Sequence, residues 1–170
     1  MIPKRHGQPA GTYFVTSRTW EGRALFLNLR TAELFVTAML HYRDNQAYQL
    51  HAFVLMPEHF HLLLTPSGEL SLERAVQLVK GGSAHTIRKE QGLTFPVWQR
   101  GFSDHRIRGR ADCAAHFRYI DDNPVKRGLA ESAAAYLWCS ASGRFPMDSL
   151  PPRLKPAPGC DPCGTAEAVP

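Results

Sequence analysis

The sequence predicts an α+β fold in which an antiparallel sheet carries helices on one face. Short runs rich in β-branched and aromatic residues alternate with amphipathic stretches long enough for helices. In chain order these segments read β-α-β-β-α-β-α. A strand pair between two helices, flanked by further strands, is typical of the ferredoxin-like (RRM-like) arrangement.

The first half of the chain supplies three predicted strands and one helix. Residues 13–17, 48–56 and 59–65 are rich in β-forming side chains, and a Pro-Glu pair separates the last two runs. Residues 31–43 carry their large apolar side chains on one face, which predicts an amphipathic helix with an inner stripe of Leu34, Phe35, Ala38, Met39 and Tyr42.

The second half begins with a helix that Ser71 caps and that runs to about residue 90, although a glycine pair weakens it midway. Residues 96–108 are expected to be a strand or paired extended segments. Asp112 is a good N-cap for a short helix that ends at Pro124, because proline removes a helix hydrogen bond.

A change of composition divides the chain at about residue 145. Seven of the thirteen prolines lie after it. We therefore expect one domain over residues 1–145 and an extended, disordered tail over 146–170. The tail contains Cys160 and Cys163 in a C-x-x-C pattern, which could be half a zinc site. The other two cysteines form no such pair, so free thiols are favoured.

The overall charge permits several classes of partner and excludes few. Twenty Lys and Arg against fifteen Asp and Glu give a net charge of +5, which allows a polyanionic partner without requiring one. No apolar run approaches the roughly 18 residues that a membrane helix needs. The polar, basic N-terminus does not resemble a signal peptide, so a cytoplasmic location is expected.

The most distinctive local pattern is a pair of histidines on one predicted strand. Side chains alternate between the faces of a strand, so His59 and His61 share one face while Phe60 and Leu62 share the other. The two imidazoles start about 6–7 Å apart and can lean toward one ion. Two incidental histidines on a half-exposed strand would give the same pattern, and a metal site would need a third ligand.

A second pattern lies in the last predicted helix. At 100° per residue, Cys113, Phe117 and Ile120 form its inner stripe, whereas Tyr119 and Asn123 lie one turn apart on its flank. An edge tyrosine and a C-terminal asparagine would be equally ordinary in a structural helix. The functional alternative is a nucleophilic phenol beside an amide oxygen that could bind a divalent ion.

The segment before this helix combines basic and aromatic side chains. Arginine suits phosphate and aromatic rings suit bases, so it is a candidate surface for nucleic acid, although a basic edge strand that resists aggregation would look the same. Together with two cations beyond the tyrosine, the candidate DNA-binding residues are Arg100, Phe102, Arg106, Arg108, Arg110, Lys126 and Arg127.

Together these segments resemble the IS200-like single-strand DNA transposases, and within them the REP-associated tyrosine transposases. Residues 56–64 (Met-Pro-Glu-His-Phe-His-Leu-Leu-Leu) are similar to the HUH motif of that family. Residues 98–105 (Trp-Gln-Arg-Gly-Phe-Ser-Asp-His) and 119–129, which begin Tyr-Ile-Asp-Asp-Asn-Pro, are similar to its later motifs. The resemblance extends over about residues 11–142.

This resemblance implies a ferredoxin-like enzyme that cuts and rejoins hairpin-forming, REP-like single-stranded DNA through a 5′-phosphotyrosine link. Residue by residue, it implies Tyr119 as the nucleophile and His59, His61 and Asn123 as ligands of Mg²⁺ or Mn²⁺. His105 and His116 are candidates for proton transfer. The family leaves open whether the enzyme acts as a monomer or a homodimer. The basic N-terminus and the tail are candidates for gripping the hairpin stem.

Two other functions are compatible with the sequence. A ferredoxin-like sheet could bind single-stranded RNA as an RRM does, but no segment resembles the RNP1 consensus. A domesticated transposase could bind DNA without moving it. Suitable residues at all four positions of the implied site argue against decay, but they do not establish mobility.

Overall fold

The computed structural model describes residues 11–155. Its regular elements follow the predicted order, and the chain between them forms turns and short 3-10 segments. The strands and helices are β1 (Tyr13–Arg18), α1 (Leu29–Asp44), β2 (Tyr48–Met56), β3 (His59–Pro66), α2 (Leu72–Gln91), β4 (Ser103–Arg106) and α3 (Arg110–Lys126).

The strands form one sheet in the order β2-β3-β1-β4, and every neighbouring pair is antiparallel. This is the strand order of a ferredoxin-like sheet, so the predicted fold class is confirmed. The β1–β3 register sets Thr16 opposite His61 and Arg18 opposite His59. The register therefore determines which β1 side chains lie beside the two histidines.

Helices α1 and α2 cover one face of the sheet, as predicted, and enclose the larger core. The rings of Phe35, Phe60 and Trp98 meet there at centroid distances of 5.1–5.4 Å. The predicted Ser71 cap is present, since its hydroxyl accepts a hydrogen bond from the Arg74 amide. The glycine pair does not interrupt α2. A Cβ at Gly82 would lie 2.5 Å from the Tyr42 hydroxyl, so the glycine permits the two helices to approach closely.

Helix α3 lies against the opposite face of the sheet. Ile120 and Cys113 pack there with Val54 and Leu63 of the sheet in a second, smaller core. Two predicted limits of α3 were wrong. The helix begins at Arg110 with Gly109 as its cap, and the Asp112 carboxylate instead accepts from the Arg108 amide. Pro124 lies within the last turn, where it removes the amide that would donate to the Ile120 carbonyl, and the helix nevertheless continues to Lys126.

The domain boundary predicted at residue 145 is too early for the described part of the chain. Asp148 accepts hydrogen bonds from the Arg43 guanidinium and the Leu50 amide, and Leu154 is buried. Burial and ion pairing therefore hold residues 146–155 against the sheet despite their prolines. Residues 1–10 and 156–170, with the basic N-terminus and the C-x-x-C pair, lie outside the described residues. Within the described part, no helix combines the length and apolarity needed to cross a membrane.

Candidate active site

The two histidines of β3 face each other on the α3 side of the sheet. Their Nε2 atoms are 3.2 Å apart, and their ring planes are inclined by 75°. Both residues are almost fully buried, with exposures of 8% and 4%. Two lone pairs at that distance repel each other unless a proton or a cation lies between them. The pair can therefore share one hydrogen-bonding proton or one cation.

Each imidazole is oriented through its other nitrogen. The Nδ1 of His59 lies 3.1 Å from the Glu58 carboxylate, and the Nδ1 of His61 lies 2.7 Å from the Thr16 hydroxyl. A carboxylate only accepts, so His59 donates through Nδ1 and its Nε2 keeps a lone pair. Such partners fix ring orientation and tautomer in metal-binding histidines.

Burial governs the charge of both rings. It lowers the pKa of His61 to about 3, with a further contribution from His59. Burial also lowers the pKa of His59, although the adjacent Glu58 opposes the change. Burial disfavours the charge on Glu58 too, but hydrogen bonds from Arg127 and His59 still hold the pKa of that carboxyl below its usual range. Neutral imidazoles beside an ionised carboxylate are the forms that can bind a cation.

Helix α3 brings the tyrosine and the asparagine to the same place. The Tyr119 ring meets the His61 ring edge-to-face at 5.1 Å, and Phe14 supports both rings from β1. Tyr119 is nevertheless 48% exposed, so a large ligand can reach its hydroxyl. The Asn123 amide lies 3.5 Å from the Tyr119 carbonyl oxygen, one turn further along.

These side chains line a cleft of about 400 Å³ between β1, β3 and the end of α3. Its lining is Thr16, Arg18, His59, His61, Tyr119, Asn123, Lys126 and Arg127. The cations cluster at the α3 end, where Arg127 pairs with Glu58 and Lys126 pairs with Asp122. The cleft thus combines two neutral imidazoles, an accessible phenol, an amide and three basic side chains, which suits a phosphodiester better than an uncharged ligand.

Comparison with known proteins identifies the family. A family model described as "Transposase IS200 like" matches residues 17–123, more than half of the chain. The chain belongs to the IS200-like transposase family. Membership assigns it to the transposases, which bind single-stranded DNA and cleave and rejoin it. The resemblance found in the sequence is therefore confirmed.

Individual transposases extend the similarity to almost the whole described chain. The REP-associated tyrosine transposase of Escherichia coli (strain K12) is 26% identical over 151 residues, which cover 85% of this chain and 88% of that protein. A solved REP-associated tyrosine transposase bound to a REP hairpin has a TM-score of 0.69 at 25% identity, covering 89% of this chain and 92% of that chain. A crystal structure from Deinococcus radiodurans R1 agrees in fold alone, with a TM-score of 0.51 at 17% identity over 71% of this chain and 95% of that chain.

The candidate DNA-binding residues of this transposase do not all meet at the cleft. The structure brings only Lys126 and Arg127 of that set to it. Phe102 is partly buried and packs against the α1–α2 core, away from the residues that line the cleft. The remaining candidates lie along the loop and strand before α3 or at its first residue, and they are exposed: Arg100, Arg106, Arg108 and Arg110.

Two cleft residues, and one carboxylate beside the cleft, were not predicted from the sequence. Thr16 and Arg18 alternate with buried residues in β1, a pattern that indicates that both share one face of the strand. Their neighbours on β3 depend on the strand register, which a single sequence does not give. Glu58 was interpreted only as part of a turn. The two other histidines singled out, His105 and His116, turn their ring nitrogens toward Asp112 and lie beyond Phe14 from the cleft.

Proposed function

We propose that this protein is a single-strand DNA endonuclease and strand transferase in which Tyr119 becomes covalently linked to the 5′-phosphate end that the cut produces. The observation that carries the proposal is the meeting of Tyr119, His59 and His61 in one basic cleft. All of these side chains come from one chain, which supports action as a monomer.

The cleft fits a divalent cation by the chemistry of its donors. The orienting contacts at Nδ1 leave the Nε2 atoms of His59 and His61 to act as ligands, and the Asn123 side chain offers an amide oxygen. Imidazole nitrogens are softer donors than Mg²⁺ prefers, so we expect Mn²⁺ to bind more tightly, with Mg²⁺ as the alternative. A bound ion would polarise a non-bridging oxygen of the scissile phosphate.

The residues of the chain carry out the transfer. The Tyr119 oxygen loses its proton to water and attacks phosphorus, forming a Tyr–O–P bond while the bond from phosphorus to the 3′ oxygen breaks. The departing oxygen takes up a proton and becomes a free 3′-OH. Arg18, Lys126 and Arg127 stabilise the added negative charge on phosphorus. Attack by another 3′-OH reverses the step, so rejoining needs no separate energy source.

We further propose that the substrate is a hairpin-forming single strand. The solved relative that matches almost the whole chain is bound to a REP hairpin, which supports this choice. The half-exposed Tyr119 and the open lining of the cleft suit a strand that passes through more than a ligand that is enclosed.

Incubation with labelled hairpin DNA and Mn²⁺ or Mg²⁺ tests the proposal. The wild-type chain should nick the DNA and form a covalent adduct that resists denaturation. Tyr119→Phe should abolish the adduct and keep DNA affinity within about twofold, because the ring that packs against His61 and Phe14 is retained. Tyr42→Phe, on the far side of the sheet, is the matched control and should behave as wild type. An adduct in Tyr119→Phe would refute the nucleophile, and metal-independent binding without cleavage by the wild type would identify a non-catalytic module.

A further inference from the structure

A second cluster of ligand-type side chains lies on the same face of the sheet as the cleft, over β4. His105 projects from β4, and Asp112 and His116 project from the first half of α3. The Asp112 Oδ1 atom is 3.1 Å from both His105 Nε2 and His116 Nδ1. One ligand atom from each of the three side chains can be chosen so that all lie within 4.8 Å of one another.

The distances from the carboxylate to the two rings are close to what a small ion requires. Zinc lies about 2.0–2.2 Å from nitrogen and oxygen ligands, which separates tetrahedral donors by roughly 3.3 Å. The Asp112 Oδ1 atom, at 3.1 Å from both ring nitrogens, needs only a small shift. The His105 and His116 rings are stacked at 4.7 Å with an interplanar angle of 16°, so at least one of them must turn for both nitrogens to point at one ion. Two imidazoles with one carboxylate form a donor set typical of borderline first-row metals, and they leave a position open to solvent.

We propose that His105, Asp112 and His116 form a second divalent-cation site, selective for ions of the zinc class and separate from the His59–His61 pair. Phe14 separates the two, with its ring stacked on His61 at 5.1 Å and tilted against His116 at 4.7 Å. Helix α3 thus presents an i,i+4 pair to each cluster: Asp112 and His116 to one, Tyr119 and Asn123 to the other.

Such an ion would restrain the position of α3 relative to the sheet. His105 belongs to the edge strand β4, whereas Asp112 and His116 belong to the helix that carries Tyr119. A shared ion would bridge strand and helix and restrain the helix that holds the tyrosine. The site rests on the side chains themselves and does not depend on the proposed function of the cleft.

Hydrogen bonds already occupy some of these atoms and define the competing explanation. The Asp112 carbonyl oxygen lies 2.8 Å from His116 Nδ1, and Asp112 Oδ2 accepts from the Arg108 amide. If the cluster forms only these hydrogen bonds, it stabilises the first turns of α3 against β4 without a metal ion. Binding an ion requires His116 to release its Nδ1 proton, whereas Asp112 can keep the Arg108 bond through Oδ2 while Oδ1 binds.

The test uses the full, untagged chain with the other zinc ligands removed. The two imidazole ligands of the cleft are removed by His59→Ala and His61→Ala. The thiols of the C-x-x-C pair are removed by Cys160→Ser and Cys163→Ser. After treatment with a chelator, this background protein is titrated with Zn²⁺ by calorimetry. We expect one saturable equivalent, which His116→Ala should weaken at least tenfold. His85→Ala, an exposed histidine on α2, is the control and should leave binding unchanged.

A second measurement needs no variant within the cluster. In ¹⁵N-labelled background protein, Zn²⁺ should shift the imidazole signals of His105 and His116 and leave those of His41, His51 and His85 in place. Absence of saturable Zn²⁺ binding in the background protein, or shifts that avoid His105 and His116, would overturn the second site and leave the hydrogen-bonded cluster as the explanation.

Discussion

The Glu58 carboxylate accepts a hydrogen bond of 2.9 Å from the guanidinium of Arg127, a residue 69 positions later in the chain. Glu58 lies in the turn between β2 and β3, and Arg127 immediately follows α3. Because the same carboxylate oxygen also contacts His59, one side chain joins the turn, the histidine pair and the end of the tyrosine helix.

This relationship predicts the effect of Glu58→Gln. The amide keeps the size of the side chain but loses the charge that orients His59 and pairs with Arg127. Metal affinity, measured by Mn²⁺ titration, should fall roughly 10- to 100-fold, as it does when partners of metal-binding histidines are replaced. Glu33→Gln, in an exposed ion pair on α1, should leave the affinity unchanged. Equal affinities in the two variants would show that Glu58 does not support the site.

Arg18 should bind a phosphate of the substrate. It is exposed at the end of β1, opposite His59, and lines the cleft. Arg18→Gln should weaken binding of single-stranded DNA and reduce the slope of log K against log salt concentration by about 0.7, the value for one phosphate contact to a single strand. Arg74→Gln, on α2 across the sheet, should leave the slope unchanged. A slope in Arg18→Gln equal to that of wild type would exclude the contact.

The close approach of α1 and α2 predicts that alanine substitutions at two adjacent glycines change the free energy of unfolding in opposite directions. Gly82→Ala forces a methyl group against the Tyr42 ring and should lower the free energy of unfolding by about 1–3 kcal/mol. At Gly81 nothing lies within 4 Å of an added Cβ. Gly81→Ala should therefore raise the free energy of unfolding by up to about 1 kcal/mol, because alanine has the higher helix propensity. Urea unfolding measures both values, and stabilisation by both alanines would contradict the packing.

The ion pair between Asp148 and Arg43 predicts a dependence of stability on pH. Hydrogen bonds from Arg43 lower the pKa of Asp148, and its burial only partly opposes them. The folded state thus releases this proton at a lower pH than the unfolded state. The contribution to stability is complete above the ordinary pKa of an aspartate, about 3.9, and is lost as the pH falls through the folded value.

Asp148→Asn should therefore lower the free energy of unfolding at pH 7 by about 2 kcal/mol, the scale of a hydrogen bond to a charged group. The difference from wild type should shrink as the pH falls below about 4, because the wild-type carboxyl is then protonated as well. Asp44→Asn, whose carboxylate is mostly exposed beside the same arginine, should have a much smaller effect. A difference between wild type and Asp148→Asn that is constant from pH 3 to pH 7 would contradict the assignment.

Local patterns predicted the elements well and the contacts between them less well. The bounds of β2 follow from its run of β-forming side chains and the Pro57–Glu58 break, and the Ser71 cap follows from its residue type. The position of α3 depends on which face of the sheet remains uncovered, and this is decided by tertiary packing of Ile120 and Cys113. For the same reason Phe102, chosen for its aromatic character, is partly buried against the α1–α2 core.

Within the candidate site, the sequence predicted the residues whose spacing carries the information. His59 and His61 share a face because strands alternate, and Tyr119 and Asn123 share a flank because helices repeat. Thr16 and Arg18 could not be assigned, because their place beside the histidines depends on pairing between distant residues. Thr16 and His61, for example, are 45 positions apart. The folding of residues 146–155 depends on equally distant partners, since Asp148 binds Arg43.

The alternation of β3 also affects the fidelity of folding. A slip of one residue in its pairing would exchange the faces of the strand, moving Phe60 and Leu62 into the cleft and both imidazoles into the apolar core beneath α1 and α2. Burying two polar rings without hydrogen-bond partners would cost several kcal/mol. The two histidines therefore destabilise the mispaired hairpin relative to the correctly paired one. The same two side chains that are proposed to hold the ion therefore also enforce the register that brings Tyr119 to them.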